Sequence, residues 1–383
     1  MRIKIALILA LLLACGGSGR PSEDEAATGD QSQHEDVELA IVDTIGVELG
    51  DSNLVLGSPA ASCCMPEGRV AILDMDKHSV GVYSRDGSFI ESVGREGSGP
   101  GEFNMAGGMT VTPSGGLVVS DFGARKLIRF DPELDYCGEL TGFFPSPPQD
   151  VVLLGDSSFV GRAVAYETGG ETLEAGFMVG RWKAGSVEPE VVYLRELSPF
   201  DPQDMFGSQA TEMLFRATSD GTVYTCAKST EEYFFQAWNP DGSELFRVSE
   251  PFEREPKTPE EIEREREYIH ELFTSRGAPE EMVESFEPDP YRVAISHLGI
   301  APDGNLWVRM GARRHPVFRV YDPHDGTYLY SASLDSAAHQ GELEVSMNRW
   351  GFTARDPMSD MWPRVYVLEY ADSSGAPGTG MAD

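Results

Sequence analysis

One short pattern recurs along the chain: a tight turn with a glycine, followed at once by an apolar stretch of strand-forming residues. Four copies align at Gly68, Gly115, Gly221 and Gly304. At a nearly constant spacing after the glycine, each copy reaches an aromatic residue: Tyr83, Phe130, Trp238 or Tyr321. A second turn rich in Asp, Pro and Gly follows, and such turns connect antiparallel strands because these residue types adopt backbone angles that others disfavour. Each copy therefore predicts a unit of about four short antiparallel strands.

The spacing of the four glycines predicts the number of units. The interval from Gly115 to Gly221 is slightly more than twice the interval before it, so a degenerate unit lies between, and residues 151–182 fit that place. The interval from Gly221 to Gly304 is one period plus an insertion, and residues 350–370 supply a sixth unit. Residues 37–372 then hold six units of about 56 residues each, close to the periods of known propeller repeats.

Four-stranded units of this size, repeated radially, are typical of a β-propeller. The sequence thus predicts an all-β fold, a six-bladed β-propeller over residues 37–372. An apolar strand at residues 37–42, continued at 45–49, precedes the first unit and has no blade of its own. We expect it to complete the last blade by pairing with Val365 to Leu368, because closure removes the open sheet edges that invite aggregation.

The Gly-rich run at residues 93–104, VGREGSGPGEFN, is followed by strand-like segments at 107–111 and 116–121. Together they resemble the NHL-type repeat of six-bladed propellers, a resemblance that covers one blade well. It implies that the glycines let the chain cross between blades where backbone passes close to backbone. A phosphate-binding loop is the alternative, but no Lys-Ser or Lys-Thr pair follows and the next element is a predicted strand.

Residues 255–290 form the predicted insertion, the one helical region. Thr258, Pro259 and Glu261 match a capping box with proline at the first helical position. Gly277 is expected to end this helix, and residues 280–286 to form a second short one. The insertion is either a lid over one end of the central channel or a decoration packed against the side of a blade.

The N-terminus carries a sorting signal. Arg2 and Lys4 precede nine apolar residues, 5–13, a run too short to span a bilayer as a helix. The following Leu-Leu-Ala-Cys-Gly resembles the lipobox of bacterial lipoproteins, which implies cleavage before Cys15 and lipidation of its thiol. An ordinary signal peptide with an incidental cysteine is the alternative. With Gly16 after the cysteine, a double-membraned host would sort the protein to the outer membrane.

The predicted organisation is therefore a signal peptide at 1–14, an acylated disordered tether at 15–36, the propeller, and a flexible tail at 373–383. The tether contains almost no apolar residues and cannot bury a core. No later apolar run reaches membrane-spanning length, so membrane contact is expected through the lipid anchor only.

Charge excludes one class of partner. The chain has 30 Lys and Arg against 63 Asp and Glu, a net charge of -33. Nucleic-acid binding depends on neutralising phosphates with basic side chains, so we predict no nucleic-acid partner.

Four cysteines remain besides the lipidation site. They are the possible disulfide cysteines Cys63, Cys64, Cys137 and Cys226. An oxidising compartment allows three pairings. Two buried free thiols, or one cysteine bonded to a distant partner, are favoured over a strained vicinal bond between Cys63 and Cys64. A zinc site has little support because there is no C-x-x-C pair.

Catalytic motifs are absent from the sequence: there is no H-E-x-x-H, no G-x-S-x-G and no complete calcium loop. We therefore assign no catalytic residue and no metal ligand. His297 lies on a predicted inner strand and can face the central channel, either as a ligand-binding or as a structural residue. Arg216 and Arg292 can also point inward and bind a ligand, or form salt bridges with carboxylates.

Two functions fit these observations. The first is an envelope lipoprotein whose propeller binds a peptide, glycan or protein partner without catalysis and without a cofactor. The second is a metal-dependent enzyme, because propellers resembling this one include lactonases and lyases with a divalent cation in the channel. Such sites need convergent His, Asp, Glu or Asn side chains, whereas the predicted inner strands around Met109 and Leu214 are mainly apolar. The sequence therefore favours the binding module.

Overall fold

The computed structural model of the chain describes residues 36–155, 158–167, 173–183, 185–200, 212–274, 277–311, 316–334, 343–357 and 361–371. These residues contain 24 strands, grouped as six four-stranded antiparallel blades; apart from the N-terminal strand, which joins the last blade, the blades follow sequence order. The signal peptide, Cys15 and nearly all of the predicted tether lie outside the described residues, as does the C-terminal tail. None of the helices among the described residues is both long and apolar enough to cross a membrane.

The first three blades follow the chain directly. Blade 1 consists of β2 (Pro59–Cys64), β3 (Val70–Asp74), β4 (Ser79–Tyr83) and β5 (Phe89–Val93). Blade 2 consists of β6 (Ala106–Val111), β7 (Leu117–Asp121), β8 (Lys126–Phe130) and β9 (Tyr136–Thr141). Blade 3, the predicted degenerate unit, consists of β10 (Gln149–Leu153), β11 (Phe159–Glu167), β12 (Glu174–Trp182) and β13 (Val191–Pro199).

The other three blades complete the ring. Blade 4 consists of β14 (Met213–Ala217), β15 (Val223–Ala227), β16 (Tyr233–Trp238) and β17 (Glu244–Glu250). Blade 5 consists of β18 (Ile295–Ile300), β19 (Leu306–Met310), β20 (Val317–Tyr321) and β21 (Tyr328–Leu334). Blade 6 consists of β22 (Glu344–Asn348), β23 (Gly351–Arg355), β24 (Val365–Tyr370) and the N-terminal strand β1 (Val37–Ile45).

The N-terminal strand closes the ring as predicted. β1 pairs antiparallel with β24, so that Ile41 lies opposite Leu368 and Ile45 opposite Val365. Its other edge runs parallel to β21 of blade 5, which joins the last two blades into one eight-stranded sheet. Leu39 is fully buried in the apolar cluster between these blades. The fold is therefore a six-bladed β-propeller closed by its N-terminal strand.

Apolar clusters fill the spaces between neighbouring blades. β3 shows how one strand serves two of them, because successive side chains point to opposite faces. Val70 and Ile72 pack towards blade 6, whereas Ala71 and Leu73 pack towards blade 2. All five residues of β3 are buried, and four of them are apolar, because both faces of this second strand pack against a neighbouring blade.

The Gly-rich crossover between blades 1 and 2 differs in one respect from the expectation. At Gly94, with φ of 83°, a Cβ atom would lie 2.4 Å from the ring of Phe103. At Gly97 it would meet the Glu102 carboxylate at 2.1 Å. The close approach that requires glycine is thus made by side chains of the crossover itself, and not by another segment of backbone.

The insertion contains two helices, α1 (Pro259–Thr274) and α2 (Glu280–Val283). The capping box forms: the Thr258 amide donates to the Glu261 carboxylate at 2.7 Å, and the Glu261 amide donates to Thr258 Oγ1 at 3.3 Å. Gly277 has φ of 82° and donates its amide to the Thr274 carbonyl, as expected after a helix end. The second helix is shorter than predicted, since it ends before Phe286.

Candidate functional site

The first strands of the six blades surround a central channel with a cavity of about 670 Å³. A cavity of this size accommodates a ligand of ordinary small-molecule dimensions. Its wall combines apolar side chains such as Met109, Val152 and Leu214 with polar and charged ones. No described residue of the insertion lines this cavity, so the structure gives no support to the interpretation of the insertion as a channel lid.

Two of the three predicted channel residues meet in this cavity. Arg216 lies on β14 and His297 on β18, the inner strands of neighbouring blades. The Nη2 atom of Arg216 is 3.4 Å from the Nε2 atom of His297. Each side chain is partly buried.

Arg216 forms no ion pair with any described carboxylate. Its Nη1 atom donates to its neighbour's carbonyl, Phe215 O, at 2.8 Å, and its other polar contact is the one with His297. Burial lowers the pKa of Arg216, the nearby Asp150 carboxylate opposes this effect, and Arg162 adds to it. A guanidinium carries five N–H donors, so donors remain that can face the cavity.

His297 is neutral at physiological pH. Its pKa lies well below the usual 6.5, first because of burial and then because Arg216, Arg309 and Lys228 are close and positive. Since arginine can only donate hydrogen bonds, the contact with Arg216 requires an unprotonated Nε2 on the histidine. The proton of the neutral ring therefore lies on Nδ1.

The third residue, Arg292, was predicted to face the channel, but it does not line the cavity. Its guanidinium is paired with Glu255 at 2.8 Å and with Glu261 at 2.5 Å, and it also donates to the Pro256 carbonyl. These partners belong to the insertion, which starts and ends near this arginine. Arg292 thus forms the salt bridges that were the alternative to a channel position.

A set of arginines that the sequence analysis did not select also reaches the channel. They are Arg162, Arg309 and Arg355, at equivalent positions on the second strands of blades 3, 5 and 6. Each donates a hydrogen bond to a backbone carbonyl where the next inner strand begins: Met213 O at 3.2 Å, Leu343 O at 2.7 Å and Pro59 O at 2.7 Å, respectively. In blade 2 the equivalent Ser120 does the same with Pro148 O at 3.0 Å. These contacts link four of the six neighbouring pairs of blades.

The described part of the channel lining contains more cations than carboxylates. The cations are Arg162, Arg216, Lys228, Arg309, Arg349 and Arg355, and the carboxylates are Asp150, Glu212 and Glu344. All three carboxylates are held by cations of the same lining, through ion pairs with Arg162, Lys228 and Arg355. The channel is therefore a positively charged site in a protein of net charge -33.

The sequence analysis expected a mainly apolar channel because it considered inner strands alone. Much of the charge comes instead from second strands, whose side chains reach past the start of the neighbouring inner strand. The signal was present, since Arg162 and Arg309 interrupt apolar strands in which a charge must find a partner. Glu212 and Lys228, which flank strand ends, gave no such signal.

The four cysteines Cys63, Cys64, Cys137 and Cys226 are free thiols in the structure. Cys63 lines the channel, and the adjacent Cys64 is buried in contact with the Phe352 carbonyl. Burial raises the pKa of Cys64 to about 12 and that of Cys226 to about 12. The thiols of Cys64 and Cys226 are therefore protonated at neutral pH, which makes them poor nucleophiles.

Metal-binding chemistry has no ready donor set in the part of the chain that the structure describes. No group of three His, Cys, Asp or Glu side chains there is arranged to hold an ion. His297, the histidine of the described channel lining, is surrounded by positive groups. The described residues of the channel lining do not fit the divalent cation that the enzyme hypothesis requires.

Comparison with known proteins agrees with the fold. Residues 42–148, which span blades 1 and 2, match the model of the DUF5128 family, described as a 6-bladed beta-propeller. No curated protein matches the chain in sequence. The region that matches the DUF5128 model includes the Gly68 and Gly115 copies of the predicted repeat.

A solved structure resembles this chain in fold, and others align with it over a similar length. A DUF4221 family member from Bacteroides vulgatus aligns over 88% of this chain and 99% of its own, with 9% identity and a TM-score of 0.52. An exported protein of Bacteroides fragilis, so described, aligns over 87% and 95%, with 13% identity and a TM-score of 0.49. A virginiamycin B lyase from Staphylococcus aureus aligns over 82% and 81%, with 10% identity and a TM-score of 0.39. At such identities the likeness concerns the fold alone.

Proposed function

We propose that the protein is a lipoprotein of the bacterial cell envelope whose propeller is a non-enzymatic binding module, with the central channel as its binding site. Acylation at Cys15 anchors it in the outer membrane, and the tether holds the propeller away from the lipid. Its ligand is a peptide, a glycan or part of a protein partner that enters the channel.

The observation that carries this proposal is the cavity of about 670 Å³ in which Arg216 has no ion-pair partner among the described residues. A partly buried charge without a counter-ion is costly. A ligand that supplies the missing counter-ion would offset this cost. The mixed apolar and charged wall is also what ligand sites of this size present.

The enzyme hypothesis fits the channel less well. A lactonase- or lyase-type site needs several carboxylates or imidazoles free to bind a divalent cation. Here Asp150, Glu212 and Glu344 are each held by an arginine or lysine, and cations outnumber carboxylates in the described lining. The resulting positive charge would oppose a metal ion.

Photo-crosslinking in the intact envelope tests this function. A photo-reactive amino acid replaces Leu214, which faces the channel, or Arg129, which is exposed on β8. We expect light-dependent adducts, identified by mass spectrometry, from position 214 and not from position 129. Adducts from both positions alike, or none from position 214, would contradict a binding site in the channel.

A further inference from the structure

We propose that the channel recognises a monoanionic carboxylate attached to an apolar body, with the carboxylate bound by Arg216 beside His297. This inference rests on the proposed function and adds the chemical class of the ligand. It starts from Arg216, whose described polar contacts are one backbone carbonyl and one neutral imidazole. A carboxylate matches the planar guanidinium, forms charge-assisted hydrogen bonds with it and neutralises its charge.

The charge distribution favours a monoanion over a polyanion. The three carboxylates of the described lining already neutralise Arg162, Lys228 and Arg355 in ion pairs. Of the other cations, Arg309 donates to the Leu343 carbonyl at 2.7 Å, and Arg349 is exposed with its guanidinium over the Trp350 ring. One carboxylate would balance Arg216, the cation beside His297. A polyanion would also have to approach a protein of net charge -33, and this repulsion grows with the charge of the ligand. Salt screens exposed charges beyond about 8 Å, which lessens the repulsion for a small monoanion.

The cavity wall supplies the surface for the apolar body. Leu214 lies two residues before Arg216 on β14, so their side chains project from the same face of the strand. Both are partly buried and line the cavity, together with Met109 and Val152 from blades 2 and 3. A ligand whose carboxylate lies on Arg216 can therefore bury an apolar group against these side chains.

His297 lies where it can strengthen the contact between the ligand carboxylate and Arg216. While neutral it accepts a hydrogen bond from Arg216 through Nε2. If it takes up a proton, Nε2 becomes a donor and can no longer accept from the guanidinium. A carboxylate next to both groups can accept from each of them, so ligand and proton are expected to bind cooperatively.

Three fluorinated probes test the proposal on the purified full-length chain by ¹⁹F NMR titration. They are 4-(trifluoromethyl)phenylacetate, its amide, and 4-(trifluoromethyl)benzylphosphonate. A ligand of this size predicts a Kd on the order of 1 mM for the carboxylate. We expect the amide to bind about tenfold more weakly, because it lacks the charge-assisted hydrogen bonds. The phosphonate is expected to bind no more tightly than the carboxylate.

Two variants that each remove one positive charge test whether the carboxylate binds at Arg216. Arg216→Gln should weaken binding of the carboxylate about tenfold and leave binding of the amide unchanged. Arg216→Lys, which keeps the charge without the planar fork, should lie between. Arg129→Gln removes the same charge from the exposed face of β8 and should change neither affinity. Far-UV circular dichroism and the melting temperature of each variant establish that it is folded.

Equal affinity for carboxylate and amide, or equal losses in Arg216→Gln and Arg129→Gln, would overturn the proposed ligand class. Tighter binding of the phosphonate would do so as well, in favour of a dianion. These results concern the ligand's charge, whereas the crosslinks from position 214 concern occupation of the channel. If position 214 forms crosslinks but the amide binds as tightly as the carboxylate, the channel is still a binding site and the proposed ligand class is wrong.

Discussion

Arg216 Nη2 and His297 Nε2 lie 3.4 Å apart although 81 positions separate them in the sequence. The contact joins the inner strands of blades 4 and 5 across the wall of the channel. It exists only while the histidine is neutral, since a protonated ring has no lone pair to offer. The protonation of the His297 imidazole is therefore coupled to the position of the Arg216 guanidinium.

The first prediction concerns the pH dependence of stability. The pKa of His297 is lower in the folded protein than its usual 6.5, because of burial and of Arg216, Arg309 and Lys228. Below pH 6.5 the unfolded chain therefore binds more protons at this position, and the folded state loses stability as the pH falls towards the folded pKa. Above pH 6.5 this effect disappears.

Urea unfolding of wild type and His297→Gln at pH 7.5 and pH 5.0 measures this effect. The wild type should lose more free energy of unfolding over this interval than the variant, by up to about 1.4 kcal/mol for each pH unit below 6.5. Carboxylate titrations contribute alike to both proteins and cancel in the comparison. Parallel pH profiles would show that His297 is not held neutral.

The second prediction concerns the hydrogen bonds that link consecutive blades. Ser120 is 2% exposed, and its hydroxyl donates to Pro148 O at 3.0 Å. Ser120→Ala should cost about 1 kcal/mol of unfolding free energy, because it removes that donor from a buried carbonyl. Ser92→Ala on the outer strand β5 changes an exposed hydroxyl in the same way and should stay within about 0.5 kcal/mol. Equal denaturation midpoints for the two variants would refute a structural role of the interblade bond.

The third prediction concerns ring closure. Deleting residues 37–49 removes β1 and exposes the edges of β24 and β21 together with the apolar cluster around Leu39. The loss should approach a large share of the free energy of unfolding of a typical domain, and the exposed edges should promote aggregation. Deleting residues 16–35 of the predicted tether is the control, with an expected melting temperature within a degree or two of wild type. Similar melting of both truncations would contradict closure by β1.

The fourth prediction concerns the membrane anchor. Cys15→Ser should abolish incorporation of a radiolabelled fatty acid and release the protein from the membrane fraction. Cys137→Ser removes an exposed thiol from the outer strand β9 and should leave labelling intact. Label retained in Cys15→Ser, or lost in Cys137→Ser, would argue against lipidation at Cys15.

Most of the architecture was predictable because local chemistry determines it. Turns such as the one at Gly221, which has φ of 93°, favour glycine, and the same signal recurs in three other blades, at Gly68, Gly115 and Gly304. The apolar strand without a blade of its own indicated closure by β1. The length of α2 was overestimated: Glu284 donates its amide to the Glu280 carbonyl at the end of the helix, and Phe286 then donates to the Val283 carbonyl in a tighter turn.

The channel was predictable only in part, because its chemistry depends on contacts between blades. Arg216 and His297 could be placed from the position of their strands alone. Arg292 could not be assigned, since the choice between channel and salt bridge depends on where the insertion returns to the ring. Arg309 donates a hydrogen bond to the Leu343 carbonyl, where the next blade begins. A contact between two blades cannot be predicted from the sequence of one repeat.

The most direct test of the account is the position of a carboxylate in the channel. Crystals of the protein soaked with 4-bromophenylacetate, measured at the bromine absorption edge, would locate the ligand by anomalous scattering. We predict a bromine peak inside the central cavity near Leu214, with the carboxylate within hydrogen-bond distance of Arg216. A bromine peak confined to the outer surface, or an empty channel at a concentration that saturates binding in solution, would contradict the account.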